Sequence, residues 1–169
     1  KLNEQLSIIS FMSKPMYTRG DFVWEDDVQD TQVNFVKSEN GRFLLNKNVD
    51  LNEEWNHVDG EEKKRPLNKN VVIGVDPFDH KAVDIVDQKR MSMGGCYGFH
   101  KFDGLDSELS ETFLFEYLAR PDDPDDFYED CLMAAYFFGC KLLVENNKSG
   151  FLNYFDRRGY SPWLIRPKG

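Results

Sequence analysis

Val71-Val72-Ile73-Gly74-Val75-Asp76-Pro77 is an apolar run that stops on a carboxylate. Leu142-Leu143-Val144-Glu145-Asn146-Asn147 ends the same way. Short aliphatic runs closed by turn-forming residues read as buried strands. Two such strands side by side would bring two carboxylates together, so the elements between them decide the fold and the site.

After Asp76 a polar stretch from Phe78 to Gln88, holding Asp79, His80, Asp84 and Asp87, reads as a loop. A glycine-rich strand is expected over Met93–His100, with Tyr97 and Phe99 on one face, and Asp103-Gly104 marks a turn. Thr112–Ala119, rich in aromatics, is a third strand. The clearest helix runs from Pro124 to Phe138. Asp123 is its N-cap, Pro124 suits the first helical position, and Asp125 and Asp126 favour the positive end of the dipole. Phe127, Cys131, Ala134 and Phe138 recur at helical spacing, and Gly139 supplies the stop. Ser149 caps a second helix over 150–158, whose Phe151, Leu152 and Phe155 are expected to pack on the sheet.

Short connections make the first three strands an antiparallel meander, so the first and third run parallel. A right-handed helical crossover from the third returns a fourth strand parallel to it. If that strand pairs with the first, Asp76 and Glu145 end at one edge of a mixed α/β sheet, about 4.8 Å apart in strand spacing. Two-metal phosphodiester chemistry uses ions roughly 3.5–4 Å apart flanked by carboxylates, so the spacing fits. Mg²⁺ and Mn²⁺ prefer such hard oxygen donors, and ligands favour the carboxyl ends of parallel strands. A strand-end acid taken alone equally well caps a helix or meets water. Asp79 and Asp84 are candidate auxiliary ligands, and Lys148, Arg157 and Arg158 candidate contacts to a DNA backbone, each set against plain surface charge.

Upstream, residues 1–15 have Leu2, Leu6, Ile9 and Met12 near a helical period, ending before Pro15. Met16–Trp24 alternates polar and apolar through a glycine. Val33–Val36 and Arg42–Leu45 read as a β-hairpin joined across Ser38-Glu39-Asn40-Gly41, because Asn-Gly favours tight turns. The charged stretch 46–70 reads as a connector, dividing the chain into residues 1–67 and 68–169. Cys96, Cys131 and Cys140, odd in number and unpaired in spacing, argue for reduced thiols in a cytoplasmic setting. Cys96 and His100 lack the second ligand pair of a zinc site. No apolar run approaches the roughly 20 residues that cross a bilayer, so a soluble chain with no membrane partner is expected. The start has no signal-peptide pattern and no Met, which points to an excised fragment or a processed product. No Gly-x-Ser-x-Gly elbow supports a serine hydrolase. The net charge of −9, from 30 acids and 21 bases, counts against nucleic acid unless bound cations reverse the local sign.

Gly74-Val75-Asp76-Pro77, the glycine-rich second strand, Phe115-Glu116-Tyr117-Leu118-Ala119-Arg120 and Val144-Glu145-Asn146-Asn147 together resemble the nuclease domain of phage terminase large subunits. Tyr17–Trp24 and Gly41-Arg42-Phe43 resemble the segments preceding that domain in terminases of phages of Bacteroidetes-like hosts. The resemblance implies an RNase H-like fold and metal-dependent cutting of concatemeric double-stranded phage DNA in the host cytoplasm at the procapsid. It also implies two Mg²⁺ or Mn²⁺ ions, with Asp76 and Glu145 as catalytic metal ligands. The implied partners are the portal, the small terminase subunit and an ATPase motor region that would precede residues 1–67. The family carries a third acid on a later helix. Here the only acid after Glu145 is Asp156, on the next helix and expected to face solvent, while a fifth strand is expected at Trp163-Leu164-Ile165. Residues 68–169 therefore read as a C-terminally incomplete nuclease domain, and no Gly-x-x-x-x-Gly-Lys-Ser/Thr motor motif occurs. Two alternatives stand beside this reading: another RNase H-like nuclease such as a junction resolvase, and a non-catalytic packaging-complex interaction module with a nuclease-like fold.

Overall fold

The computed structural model describes residues 16–53, 55, 57–58, 65–77, 93–101, 104, 108–145 and 149–165. Its strands are β1 (Tyr17–Trp24), β2 (Val33–Lys37), β3 (Phe43–Asn46), β4 (His57–Val58), β5 (Arg65–Pro66), β6 (Val71–Asp76), β7 (Gly94–His100), β8 (Thr112–Ala119), β9 (Lys141–Val144) and β10 (Leu164–Ile165). Two helices, α1 (Pro124–Phe138) and α2 (Ser149–Arg158), complete it. One eight-stranded sheet has the order β10-β9-β6-β7-β8-β3-β1-β2, and β4 with β5 forms a separate ladder.

The expected meander is present: β6 pairs with β7, and β7 with β8, both antiparallel. The chain then crosses through α1 and returns as β9, parallel to β6, with Val75 opposite Val144. β10 adds a further parallel strand beside β9, at the expected fifth position. The architecture is a mixed α/β sheet, mostly antiparallel, with its helices on one side.

α1 forms where its end signals predict. Asp123 accepts a hydrogen bond from the Asp125 amide at 2.9 Å, and Gly139 ends the helix in the left-handed conformation at φ 62°, where a Cβ would be strained. Every residue from Phe127 to Phe138 except Glu129 is buried, because the helix is covered on two sides. One side meets the sheet, where Phe22, Phe43, Phe115 and Phe138 pack at centroid separations of 4.9–6.0 Å. Each such ring removed from water contributes about 1.5–3 kcal/mol. The other side meets α2 through Tyr128 and Phe151, so Phe151 packs on α1 as well as in the common core.

Two expectations for the N-terminal part need revision. β2 and β3 are not hairpin partners. β1 lies between them, antiparallel to both, with Gly20 opposite Lys37 on one edge and Phe43 on the other. The segment 38–42 therefore passes over β1 at Gly20, and Gly41 rests on the Gly20 backbone with no room for a Cβ. Ser38 donates its amide to the Arg19 carbonyl at 3.0 Å, and the Arg19 guanidinium donates to the Gly41 carbonyl at 3.1 Å. Asn40-Gly41 turns the chain, but as an arch over a third strand. In addition, β3 pairs with β8, so residues on both sides of position 67 share one sheet and one core. The amphipathic stretch 1–15 and the polar stretch 78–88 lie outside the described residues.

Candidate metal-binding edge of the sheet

Alternation along β6 sends Val71, Ile73 and Val75 into the core and leaves Val72, Gly74 and Asp76 on the face away from α1. On β9 Leu142 is buried while Lys141 and Leu143 are exposed, opposite Val72 and Gly74. One step beyond the Val75–Val144 pair stand Asp76 and Glu145, both exposed. Asp76 closes β6 on the open face, while Glu145 follows the last residue of β9 at the start of a turn, one position past the Val75–Val144 pair. Pro77, buried, has no amide to continue the ladder, so β6 stops at the acid.

Among the described residues the ground beside Asp76 is open at Gly74. A Cβ added at Gly74 would meet nothing within 4 Å. Gly95, directly paired with Asp76, has the Tyr97 ring and Leu118 nearest to where its Cβ would be. Tyr97 and Glu116 are paired neighbours on β7 and β8, both on this open face. Burial, then the charges of Glu116 and Asp76, hold the Tyr97 phenol above its ordinary range. Phe113 meets Phe99 and Tyr97 edge-on, and Phe113, Leu118 and Leu143 are exposed on the same surface.

Two carboxylates with hard oxygen donors and open space beside them fit a hydrated Mg²⁺ or Mn²⁺, which keeps several waters and needs only one or two protein carboxylates. Among the described residues no three His, Cys, Asp or Glu side chains converge as a metal-binding group. Asp156, the only later acid, is exposed on α2, on the helical side of the sheet, and accepts a hydrogen bond from the Ser161 hydroxyl at 3.0 Å. Asp79, Asp84 and Lys148 lie outside the described residues.

Arg157 and Arg158 are not gathered with the carboxylate pair. Arg157 is an exposed side chain, 3.6 Å from Asp125 and 5.5 Å from the Tyr154 ring centre. Arg158 has an internal role in place of the expected DNA contact. Its Nε and Nη2 donate to Glu129 at 3.0 and 2.7 Å, and its Nη1 and Nη2 donate to Asp30 at 3.3 and 3.2 Å. Glu129 also accepts from Trp24 Nε1 at 3.0 Å and the Tyr154 hydroxyl at 2.6 Å. Burial raises the Glu129 pKa, but the hydrogen bonds from Arg158, Tyr154 and Trp24 outweigh it and leave the carboxyl below its ordinary range.

Asp130 is a second internal acid. It is buried and accepts from the Tyr117 hydroxyl and from Arg42 Nη2 at 2.9 Å. Burial prevails over these partners and pushes its pKa up to about 6. The run of six acids from Asp122 to Asp130 is thus a composite: its first members sit at the start of α1, while Glu129 and Asp130 tie α1 to the strands. Nothing in the local sequence separates the two groups, since their partners lie 13 to 105 positions away. Cys96, Cys131 and Cys140 are free and buried in the core, and the Nδ1 of buried His100 lies 2.8 Å from the Lys101 carbonyl oxygen. No described helix is long and apolar enough to cross a membrane.

Comparison with protein-family models, curated proteins and solved structures returned no match.

Proposed function

We propose that this chain carries a metal-dependent endonuclease site in which Asp76 and Glu145 hold Mg²⁺ or Mn²⁺ against a DNA phosphodiester. The observation that supports the reading is the parallel register of β6 and β9, beyond whose last pair, Val75–Val144, exposed Asp76 and Glu145 each follow by one position. In that reading the sheet is RNase H-like and the chain serves as the nuclease domain of a phage terminase large subunit. Its substrate is then concatemeric double-stranded phage DNA, met at the procapsid with the portal, the small subunit and an ATPase motor as partners. Two bound ions would supply an activated water and charge stabilisation for the leaving oxygen. The chain itself contributes the paired carboxylates and the glycine-floored space beside them. The cations also answer the charge objection, because they invert the sign of an acidic site in a chain of net charge −9.

The test is Mn²⁺ titration calorimetry followed by cleavage of supercoiled plasmid in Mn²⁺. Wild-type chain should bind the ion and nick the plasmid, while Asp76→Ala and Glu145→Ala should lose both. Mn²⁺ binding untouched by either substitution sinks the reading. A second reading, a non-catalytic packaging-complex interaction module, draws support from exposed Phe113, Leu118 and Leu143 on the same face. It expects no Mn²⁺ binding that Asp76→Ala removes.

A further inference from the structure

Tyr97 stands in the Gly74–Glu116 row of the sheet, yet its ring leaves that row. It leans back along β7 over Gly95, the residue paired with Asp76. A Cβ built at Gly95 would lie 3.0 Å from Tyr97 Cε2 and 3.5 Å from its hydroxyl oxygen. The hydroxyl therefore overhangs the position beside Asp76, about one strand spacing of 4.8 Å from β6. Leu118 Cδ2, 3.5 Å from the same point, flanks the ring on the β8 side, and Phe113 meets it edge-on at 6.5 Å. Among the described residues the hydroxyl makes no hydrogen bond, as those of Tyr17 and Tyr128 do not, whereas the phenols of Tyr117, Tyr136, Tyr154 and Tyr160 donate to protein acceptors.

We propose that Tyr97 is a positioning residue of the Asp76–Glu145 site, its O–H donating to a phosphate oxygen of DNA drawn up to the two carboxylates. The proposal rests on the metal-dependent reading of that site. The absence of side chains at Gly74 and Gly95 serves it directly: the first leaves room for the phosphate, and the second lets the ring lie flat enough to reach. A phenol bound only for packing would do as well without its oxygen, and that difference is measurable.

The experiment compares Tyr97→Phe with wild type in the same 169-residue chain. Tyr97→Phe keeps the ring and should leave the melting temperature and the Mn²⁺ affinity unchanged. It should lower kcat for plasmid nicking by roughly tenfold to a hundredfold with little change in KM, the size of one hydrogen bond to a charged group. Gly95→Ala, which displaces the ring, should lower kcat in the same direction. Independently of turnover, bound Mn²⁺ should broaden the Tyr97 ring resonances in wild type and fail to do so in Asp76→Ala. Unchanged kcat in Tyr97→Phe, or Tyr97 resonances indifferent to bound Mn²⁺, overturns the role of Tyr97 while the carboxylate site stands. Loss of kcat accompanied by loss of Mn²⁺ affinity in Tyr97→Phe also overturns it. A wild-type chain that binds no Mn²⁺ overturns both.

Discussion

Replacing Arg158 with Ala should unfold the protein far more readily than replacing its neighbour Arg157. Arg158 and Glu129 are each 14% exposed at the side chain, and their closest contact is 2.7 Å. Deleting the guanidinium leaves Glu129 with the neutral donors Trp24, Tyr154 and, at 3.5 Å, Gln29, and takes a cation from Asp30, which keeps the Tyr160 hydroxyl. Breaking a buried pair by removing one partner costs about 3–5 kcal/mol, which partial solvent access here reduces to about 2–3 kcal/mol. For a domain of this size that is a fall of roughly 5–10 °C in Tm. Arg157, 66% exposed and 3.6 Å from Asp125, should cost less than about 0.5 kcal/mol. The pH dependence adds a signature. Glu129 has a folded pKa below its ordinary 4.5, so its contribution is present above that value and lost as pH falls through the folded pKa. The deficit of Arg158→Ala should therefore be largest at neutral pH and shrink below about pH 4.5. Urea denaturation of the two variants between neutral and acid pH reads all of this. Equal midpoints for Arg157→Ala and Arg158→Ala would refute the internal role of Arg158.

Asp130 should behave in the opposite sense. Its folded pKa of about 6 lies above the ordinary 3.8, so its contribution to stability is full below about 3.8 and gone above about 6. The stability difference between wild type and Asp130→Asn should change across that interval and be flat above it, as measured by urea midpoints against pH. Gly41→Ala forces a Cβ onto the Gly20 backbone, which has no side chain to move aside, and should cost about 1–3 kcal/mol in thermal unfolding. A neutral result would mean that the arch shifts freely away from β1.

What the sequence disclosed follows the range of its signals. Asp123, Pro124 and Gly139 act within a turn of α1, and the helix bounds are as those residues predict. The β6-β7-β8 meander is as expected, although its connections, 77–93 and 101–111, are not short; the parallel return of β9 follows from crossover handedness, a local rule with a global outcome. The β2–β3 arrangement was not legible, because Asn40-Gly41 turns a chain equally well into a hairpin or over a neighbouring strand. Only the presence of β1 between the two, a pairing across as many as 29 positions, decides it. The parallel pairing of β6 with β9, whose last pair immediately precedes Asp76 and Glu145, could be derived from topology. The lean of Tyr97 over Gly95 could not, because alternation gives the face of a side chain and not its rotamer. Arg158 misled for a related reason: a cation near a helix end looks solvated until distant acids are folded against it.

The arch over Gly20 has a mechanical consequence. β1 is gripped on two edges, by β2 from Gly20 to Trp24 and by β3 from Tyr17 to Gly20. Tension applied to the chain ahead of Tyr17 runs along the β1 axis and across both ladders at once. Their hydrogen bonds then share the load in shear and must give way together, whereas a strand peeled from a sheet edge surrenders them one at a time. The place where the chain enters the sheet is thus a clamp, able to pass a pull from upstream into the core without unravelling.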